Sequence, residues 1–283
     1  MLTVKSVAEC KTFLKEHRKN GLSIGFVPTM GALHDGHLSL VRKSITENNI
    51  TVMSIFVNPT QFGPKEDFAS YPRSLKKDLV LAESEKTDLL FIPSTEEIYK
   101  NSFSTYVEET TIARPLCGQF RPVFFKGVCT VTLKLLNTIQ PDRLYLGQKD
   151  AQQLRVLEKM IEDLNLGIQV IGCPTIREKD GLAMSSRNIY LSSHEREVAP
   201  TIYAALKEAE SAFLNGERVS QKLIDIAKQQ ILSKKIFELQ YLEVKRWKDF
   251  ESDTTIKEPS LLAVAAFLGR TRLIDNIFLD PTT

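Results

Sequence analysis

Residues 23–57 read SIGFVPTMGALHDGHLSLVRKSITENNITVMSIFV, and this stretch decides the fold. Ser23–Pro28 is a short, nearly unbroken apolar run, the pattern of a strand buried on both faces. His37–Asn48 follows with apolar residues at Leu38, Leu40, Val41 and Ile45, a helical spacing. Thr51–Val57 returns to an apolar run rich in β-branched residues. Strand, helix, strand in that order, with strands apolar throughout, predicts a parallel sheet covered by helices on both faces.

The alternation continues outward. Ser74–Glu85 has a helical pattern, Asp88–Ile92 reads as a strand, and Lys126–Ile139 as a helix. Arg143–Leu146 and Ile168–Ile171 read as strands on either side of a helix over Asp150–Asn165. Near Ile176 the pattern changes. Pro200–Leu214 and Val219–Ser233 read as helices separated by the stop signal Asn215-Gly216. Phe237–Val244, Leu261–Phe267 and Leu273–Leu279 read as strands. The chain is therefore expected to be α/β: a Rossmann-like doubly wound parallel sheet over residues 1–176, with a smaller C-terminal α+β domain over residues 177–283.

The bulk properties narrow the function. A chain of 283 residues, 42% hydrophobic and 25% charged, can bury a full core without disulfides or a structural metal. The 37 basic and 35 acidic residues leave a net charge of +2, with no long like-charged block. That excludes the electrostatic footprint of a general nucleic-acid binder. Cys10, Cys117, Cys129 and Cys173 form no C-x-x-C pair and have no histidine near them in sequence, so buried reduced thiols are expected. The N-terminus lacks an apolar signal core, and Leu261–Gly269 is too short to span a bilayer. A cytoplasmic protein with no membrane and no nucleic-acid partner is expected.

Ligands on such a sheet sit at the carboxyl ends of the strands, so the loops there carry the chemistry. The loop after the first strand is Pro28-Thr-Met-Gly-Ala-Leu-His-Asp-Gly-His37. Gly31 and Gly36 let backbone approach a ligand closely. The following helix directs unpaired N–H groups and a partial positive charge at it, which suits an anion. His34 and His37, three residues apart, share one face of a helix that begins there and can donate to phosphate oxygens. The second loop, Asn58-Pro-Thr-Gln61, carries amides suited to hydroxyl and carboxylate groups; an Asn-Pro turn with a solvent-facing Gln is the plainer reading of those residues taken alone. The third, Gly147-Gln148-Lys149-Asp150, offers a phosphate-binding lysine and a carboxylate for a helix cap or a ribose hydroxyl, with Gln153 one turn along; an ordinary capped helix start explains it equally well. The fourth, Met184-Ser185-Ser186-Arg187, combines hydroxyls with a guanidinium that binds phosphate in bidentate geometry, and a capped surface loop accounts for it as readily.

Taken together these loops resemble the H-x-G-H nucleotidyltransferase superfamily, which includes the class I aminoacyl-tRNA synthetases. Within it the chain closely resembles the pantothenate synthetase (pantoate–β-alanine ligase) family. The segments that carry the resemblance are PTMGALHDGH, SIFVNPTQFGP followed by EDFASYPR, GQKDAQQL, KDGLAMSSRNIYL and AAFLGRTRLIDN, spanning residues 28–276. The resemblance implies attack of the pantoate carboxylate on the α-phosphorus of ATP, giving pantoyl-adenylate and pyrophosphate. The amine of β-alanine then displaces AMP. It implies ATP as substrate, Mg²⁺ with no metal-ligating side chain assigned, and a homodimer.

By residue, the resemblance implies that Met30, Gly31, Ala32, Leu33, His34, Asp35, Gly36 and His37 form an ATP-binding loop, with His37 as proton donor and His34 holding the nucleotide. Gly147, Gln148, Lys149 and Asp150 match a second ATP segment, Ile176 a backbone contact to the nucleotide, and Met184, Ser185, Ser186 and Arg187 a phosphate loop. His34, His37, Lys149 and Arg187 are the catalytic candidates. Gln61 and Gln153 match pantoate-holding glutamines, and Asn58 a residue behind them or on the metal side. Where the family commonly reads Arg-Pro-Gly-His-Phe, this chain reads Arg121-Pro-Val123-Phe124-Phe125, so only Arg121 remains as a phosphate or substrate contact. Two alternatives stay open on sequence: a nucleotidyltransferase acting on another small acid, and a silent nucleotide-binding protein.

Overall fold

The computed structural model describes residues 1–64 and 66–282; Thr283, the last residue of the expected second domain, lies outside them. The chain divides into two compact units. The first comprises Met1–Ala113, Arg121–Gln148 and Gln152–Pro174; the second comprises Arg114–Phe120, Lys149–Ala151 and the chain from Thr175 onward.

The first unit is built on a parallel sheet of β1 (Leu2–Val4), β2 (Ile24–Thr29), β3 (Ile50–Ile55), β4 (Leu89–Phe91), β5 (Arg143–Gly147) and β6 (Gln169–Cys173) in the spatial order β1-β4-β3-β2-β5-β6. Its long helices are α1 (Val7–Lys19), α2 (Asp35–Glu47), α3 (Leu75–Ser84), α6 (Phe124–Ile139) and α7 (Ala151–Asp163), with short α4 (Thr95–Ile98) between β4 and α6. Every residue of β3 and β4 is buried, and all but Pro28 of β2, which is why these strands show no polar alternation. Their starts are tied down by two carboxylates. The Ile24 N–H donates to Asp142 at 2.6 Å and the Thr51 N–H donates to Asp88 at 2.8 Å. From β2 the chain winds through β3 toward β4, then returns to place β5 on the other flank of β2. The strand order thus reverses between β2 and β5, and the crevice at such a switch point is where doubly wound sheets bind ligands.

β1, α1 and α6 are among the elements that differ from the sequence expectation. β1 and α1 fall in residues 2–19, which carry no assigned element in the sequence reading. β1 is a three-residue edge strand held by pairing with β4. α1 opens with a capping box, in which Ser6 and Glu9 satisfy each other's backbone N–H groups. α6 starts at Phe124, two residues before the expected Lys126, and ends on Gln140 in the left-handed conformation (φ 49°) that helix ends commonly use.

The second unit holds α5 (Cys117–Phe120), α8 (Ser193–Val198), α9 (Thr201–Leu214) and α10 (Ser220–Ser233), with a three-stranded antiparallel sheet β7 (Phe237–Arg246), β8 (Ser260–Leu268), β9 (Thr271–Leu279). Ile202, Leu206 and Phe213 of α9 and Leu223 and Ile231 of α10 form one core with Val264, Leu268, Leu273 and Ile277 of the sheet. All four cysteines are buried. Burial pushes the thiols of Cys10 and Cys129 up to about 12, so they pack as small apolar groups.

Helix α2, which presents the histidine loop, lies tight against β2 because Gly25 has no side chain. A Cβ there would fall on Ser44 Oγ and within 2.5 Å of Asn48 Nδ2. Both are anchored, Ser44 by Thr51 Oγ1 at 2.8 Å and Asn48 by the Tyr145 hydroxyl at 2.7 Å. Gly25→Ala is therefore expected to lower stability by about 1–3 kcal/mol, the usual cost of overpacking, read as a lower denaturant midpoint at unchanged slope.

Candidate active site

The histidine loop owes its shape to a buried carboxylate. Gly31 (φ 81°) and Ala32 (φ 49°) are both left-handed, and this pair turns the chain from β2 toward α2. The turn brings the N–H groups of Ala32 and Leu33 to Asp78 on α3, at 3.0 and 2.8 Å, and the Ser74 hydroxyl also donates to Asp78, at 3.2 Å. Asp78 is 1% exposed. The donors of residues 32 and 33 are thus spent inside the protein. What remains for an anion is the head of α2, where the start of the helix carries a partial positive charge. Before the turn, Thr29 Oγ1 donates to Ser54 O at 2.7 Å and accepts from the Gly31 N–H at 3.2 Å.

His34 is the N-cap of α2, with its carbonyl accepting from the N–H groups of His37 and Leu38 at 2.8 and 3.1 Å. The two imidazoles lie against each other in a tilted arrangement, centroids 4.0 Å apart and planes inclined by 38°. The His34 N–H donates to His37 Nδ1 over 3.4 Å. That bond makes Nδ1 an acceptor, so a neutral His37 carries its proton on Nε2. Asp35 points its carboxylate to Arg42 at 2.7 Å, and Arg42 also grips Glu85, so Asp35 enters the loop through its backbone.

The second loop leads into a 3-10 turn, Pro59–Gln61, capped by Asn58. Asn58 is 1% exposed and faces inward. Its Oδ1 accepts from the Thr60 N–H, the Thr60 hydroxyl and the Tyr99 hydroxyl at 3.3, 3.0 and 2.8 Å. Its Nδ2 donates to Gly127 O at 3.1 Å and to Gln61 Oε1 at 3.2 Å. Five internal bonds use every donor and acceptor of the amide. Asn58 therefore sits behind Gln61 and sets its orientation instead of reaching for a ligand. With Oε1 held by Asn58, Gln61 turns Nε2 to Met30 Sδ at 3.0 Å, which joins the second loop to the first. Helix α6 supports the same turn from below. A Cβ on Gly127 would fall on Thr60 O and 2.6 Å from the Gln61 N. Arg121 forms a two-pronged pair with Glu66 at 2.8 and 2.5 Å, donates to Gln61 O at 3.3 Å and stacks on Phe124 at 3.8 Å. Phe124 thus has a packing role under the guanidinium, which the sequence did not suggest.

Gly147 closes β5 beside Cys173 of β6. On α7, Gln152 is buried and donates to Ile112 O at 2.9 Å, which leaves the half-buried Gln153 as the outward glutamine of the pair. In the second unit, Lys149 Nζ lies 3.9 Å from Asp150. Ile176 O accepts from the Met184 N–H at 3.0 Å, closing a hairpin that delivers Ser185, Ser186 and Arg187. Ser185 caps the 3-10 turn Ser186–Tyr190 by accepting from the Arg187 N–H at 3.3 Å. The hairpin is pinned to β9 by Arg177, which pairs with Asp275 at 2.6 and 2.9 Å and stacks on Tyr203 at 3.6 Å. The sequence reading missed Asp78, Tyr99, Gly127, Arg177 and Asp275. Their types were visible, but their partners lie far away in sequence.

Asp78→Ala removes the acceptor of two backbone N–H groups and one hydroxyl at a buried point. It is expected to cost about 2–4 kcal/mol, measured by chemical unfolding, and to abolish hydrogen-exchange protection of the Ala32 and Leu33 amides.

The chain is similar along nearly its whole length to known proteins. A family model described as pantoate-beta-alanine ligase matches residues 2–278. The chain is 50% identical over 279 residues to the pantothenate synthetase of Thermotoga neapolitana, covering 99% of this chain and 100% of that one. It superposes on the crystal structure of pantothenate synthetase from Thermus thermophilus with a TM-score of 0.94 at 40% identity, covering 99% and 100% of the two chains. The pantoate-beta-alanine ligase of Francisella tularensis, crystallised in complex with beta-gamma ATP and beta-alanine, superposes with a TM-score of 0.82 at 34% identity over 100% and 98%. With the family model covering nearly its whole length and curated relatives at half identity, the chain belongs to the pantoate–β-alanine ligase family.

Proposed function

We propose that this chain condenses pantoate with β-alanine at the expense of ATP, releasing pantothenate, AMP and pyrophosphate. Family membership supplies the reaction, and the joining of the histidine loop to Gln61 through Met30 carries the assignment of the site. In the first step a carboxylate oxygen of pantoate attacks the α-phosphorus and the bond to pyrophosphate breaks. In the second the β-alanine amine attacks the acyl carbon, loses a proton, and AMP departs. Neither step needs a protein nucleophile; both need aligned reactants and neutralised phosphate charge.

The residues divide accordingly. Met30–His37 take the nucleotide, with Asp35 contributing backbone only. His37, with its Nε2 proton, donates to the phosphate oxygens as charge builds up, and His34 holds the nucleotide. Gly147, Gln148, Lys149 and Asp150 form a second ATP segment, Ile176 a backbone contact, and Met184–Arg187 a phosphate loop with Arg187 as its cation. Gln61 and Gln153 hold pantoate, Asn58 orients Gln61, and Arg121 buttresses the same turn. The division at Ile176, with a catalytic portion before it and the Ser-Ser-Arg loop after it, is part of this reading. So are a homodimer and a cytoplasmic location; among the described residues no helix is long and apolar enough to cross a membrane. Among them, too, no group of three or more His, Cys, Asp or Glu side chains is gathered for a metal. Mg²⁺ belongs to this reading as the counter-ion of the triphosphate, where it would offset the charge of the departing pyrophosphate.

The test is pyrophosphate release with pantoate, and AMP and pantothenate formation on adding β-alanine. His37→Ala is expected to lose about 10²–10³-fold in kcat with an unchanged melting curve. Full activity in that variant would overturn the assignment. Gly127→Ala pushes on the Thr60–Gln61 backbone, so the KM for pantoate is expected to rise about tenfold with the KM for ATP little changed.

A further inference from the structure

The segment AAFLGRTRLIDN has no part in the roles assigned above, yet its last two residues lie at the base of two of the phosphate-facing loops. Lys149, the Ile176–Met184 hairpin and β9 all belong to the second unit. Asp275 and Asn276 are adjacent on β9 and, by strand alternation, face opposite ways. Asp275 takes Arg177 and so pins the Ile176–Met184 hairpin. Asn276, 7% exposed, donates from Nδ2 to the carbonyl of Lys149 at 3.0 Å. Lys149 sits in a 3-10 turn of three residues, Gln148–Asp150, that leads directly into α7. The strand offers a rigid support. Asn276 pairs with Ala263 of β8, and its own N–H donates to Asp275 Oδ1 at 2.8 Å, a carboxylate already locked by Arg177.

We propose that Asn276 is a positioning residue for ATP binding: its amide holds the Lys149 carbonyl and thereby aims the lysine at the triphosphate. The inference rests on the reading of Lys149 as a phosphate ligand. A residue gripped at its main-chain carbonyl keeps its Cα fixed, so the long lysine stem starts from one place instead of several. Removing the grip spreads the ammonium over more positions and weakens the contact, while pantoate binding through Gln61 and Gln153 is untouched.

The experiment compares Asn276→Leu, Lys149→Ala and the double variant in the full-length chain, with ATP affinity measured by titration calorimetry and steady-state KM values for ATP and pantoate. Asn276→Leu is expected to weaken ATP about tenfold and leave the pantoate KM within about twofold. On the Lys149→Ala background the same change should add less than about twofold, because the group it positions is gone. A merely structural role would weaken both substrates or multiply fully with Lys149→Ala, and either outcome overturns the proposal. So does unchanged ATP affinity in Asn276→Leu beside an impaired Lys149→Ala, a result that leaves the reading of Lys149 standing. An unimpaired Lys149→Ala overturns that reading and this proposal together. If Asn276→Leu fails to fold by circular dichroism, Asn276→Ala carries the same expectations.

Discussion

The Asp78 carboxylate, buried on α3, accepts the N–H groups of Ala32 and Leu33 and thereby holds two successive left-handed residues in place. Everything at the head of α2 depends on that constraint. A left-handed alanine is uncomfortable by itself, since its Cβ crowds the following carbonyl. Two charge-assisted hydrogen bonds outweigh that cost and commit the chain to one turn. With the turn set, His34 falls at the N-cap, His37 one turn above it, and the imidazoles meet at 4.0 Å. The loop's glycine is used for conformation and clearance: a Cβ on Gly31 would lie 3.0 Å from both Asp78 and Ile55.

The glutamine side of the site follows the same logic one loop away. Gln61 is only as well placed as Asn58, and Asn58 is fixed by five bonds to Thr60, Tyr99, Gly127 and Gln61 itself. A buried amide with no spare group has one orientation, so Gln61 inherits one too. Arg121 and Phe124 stiffen the turn from outside, one through Glu66 and the Gln61 carbonyl, the other through its ring. Phe124 is therefore part of the support of this loop.

Much of this is legible in the chain of residues alone. The buried strands announce themselves because a strand covered on both faces must be apolar at every position, and that is a local property. The loops at their carboxyl ends then pick out Met30–His37, Gln61, Lys149 and Ser185–Arg187. The edge strand β1 escapes because three residues carry too little pattern, although the Ser6-to-Glu9 capping box of α1 is written plainly in the chain. Asn58 is readable as a polar residue at a strand end, but not as one buried with its whole amide engaged in internal bonds. Asp78 looks like any acidic residue in the first turn of a helix.

The sequence by itself determined the parallel sheet, the second smaller domain, and the polar residue types gathered at each loop, because periodicity, turn chemistry and helix starts are set by neighbours a few positions apart. Only the tertiary structure decided how those residues are held. Leu33 meets Asp78 across 45 positions, Asn58 meets Gly127 across 69, and Asn276 meets Lys149 across 127. Such pairings arise from packing between distant segments and leave no periodic trace in the chain. The hydrogen bonds that fix a catalytic group therefore become visible only once the sheet has brought its partners together.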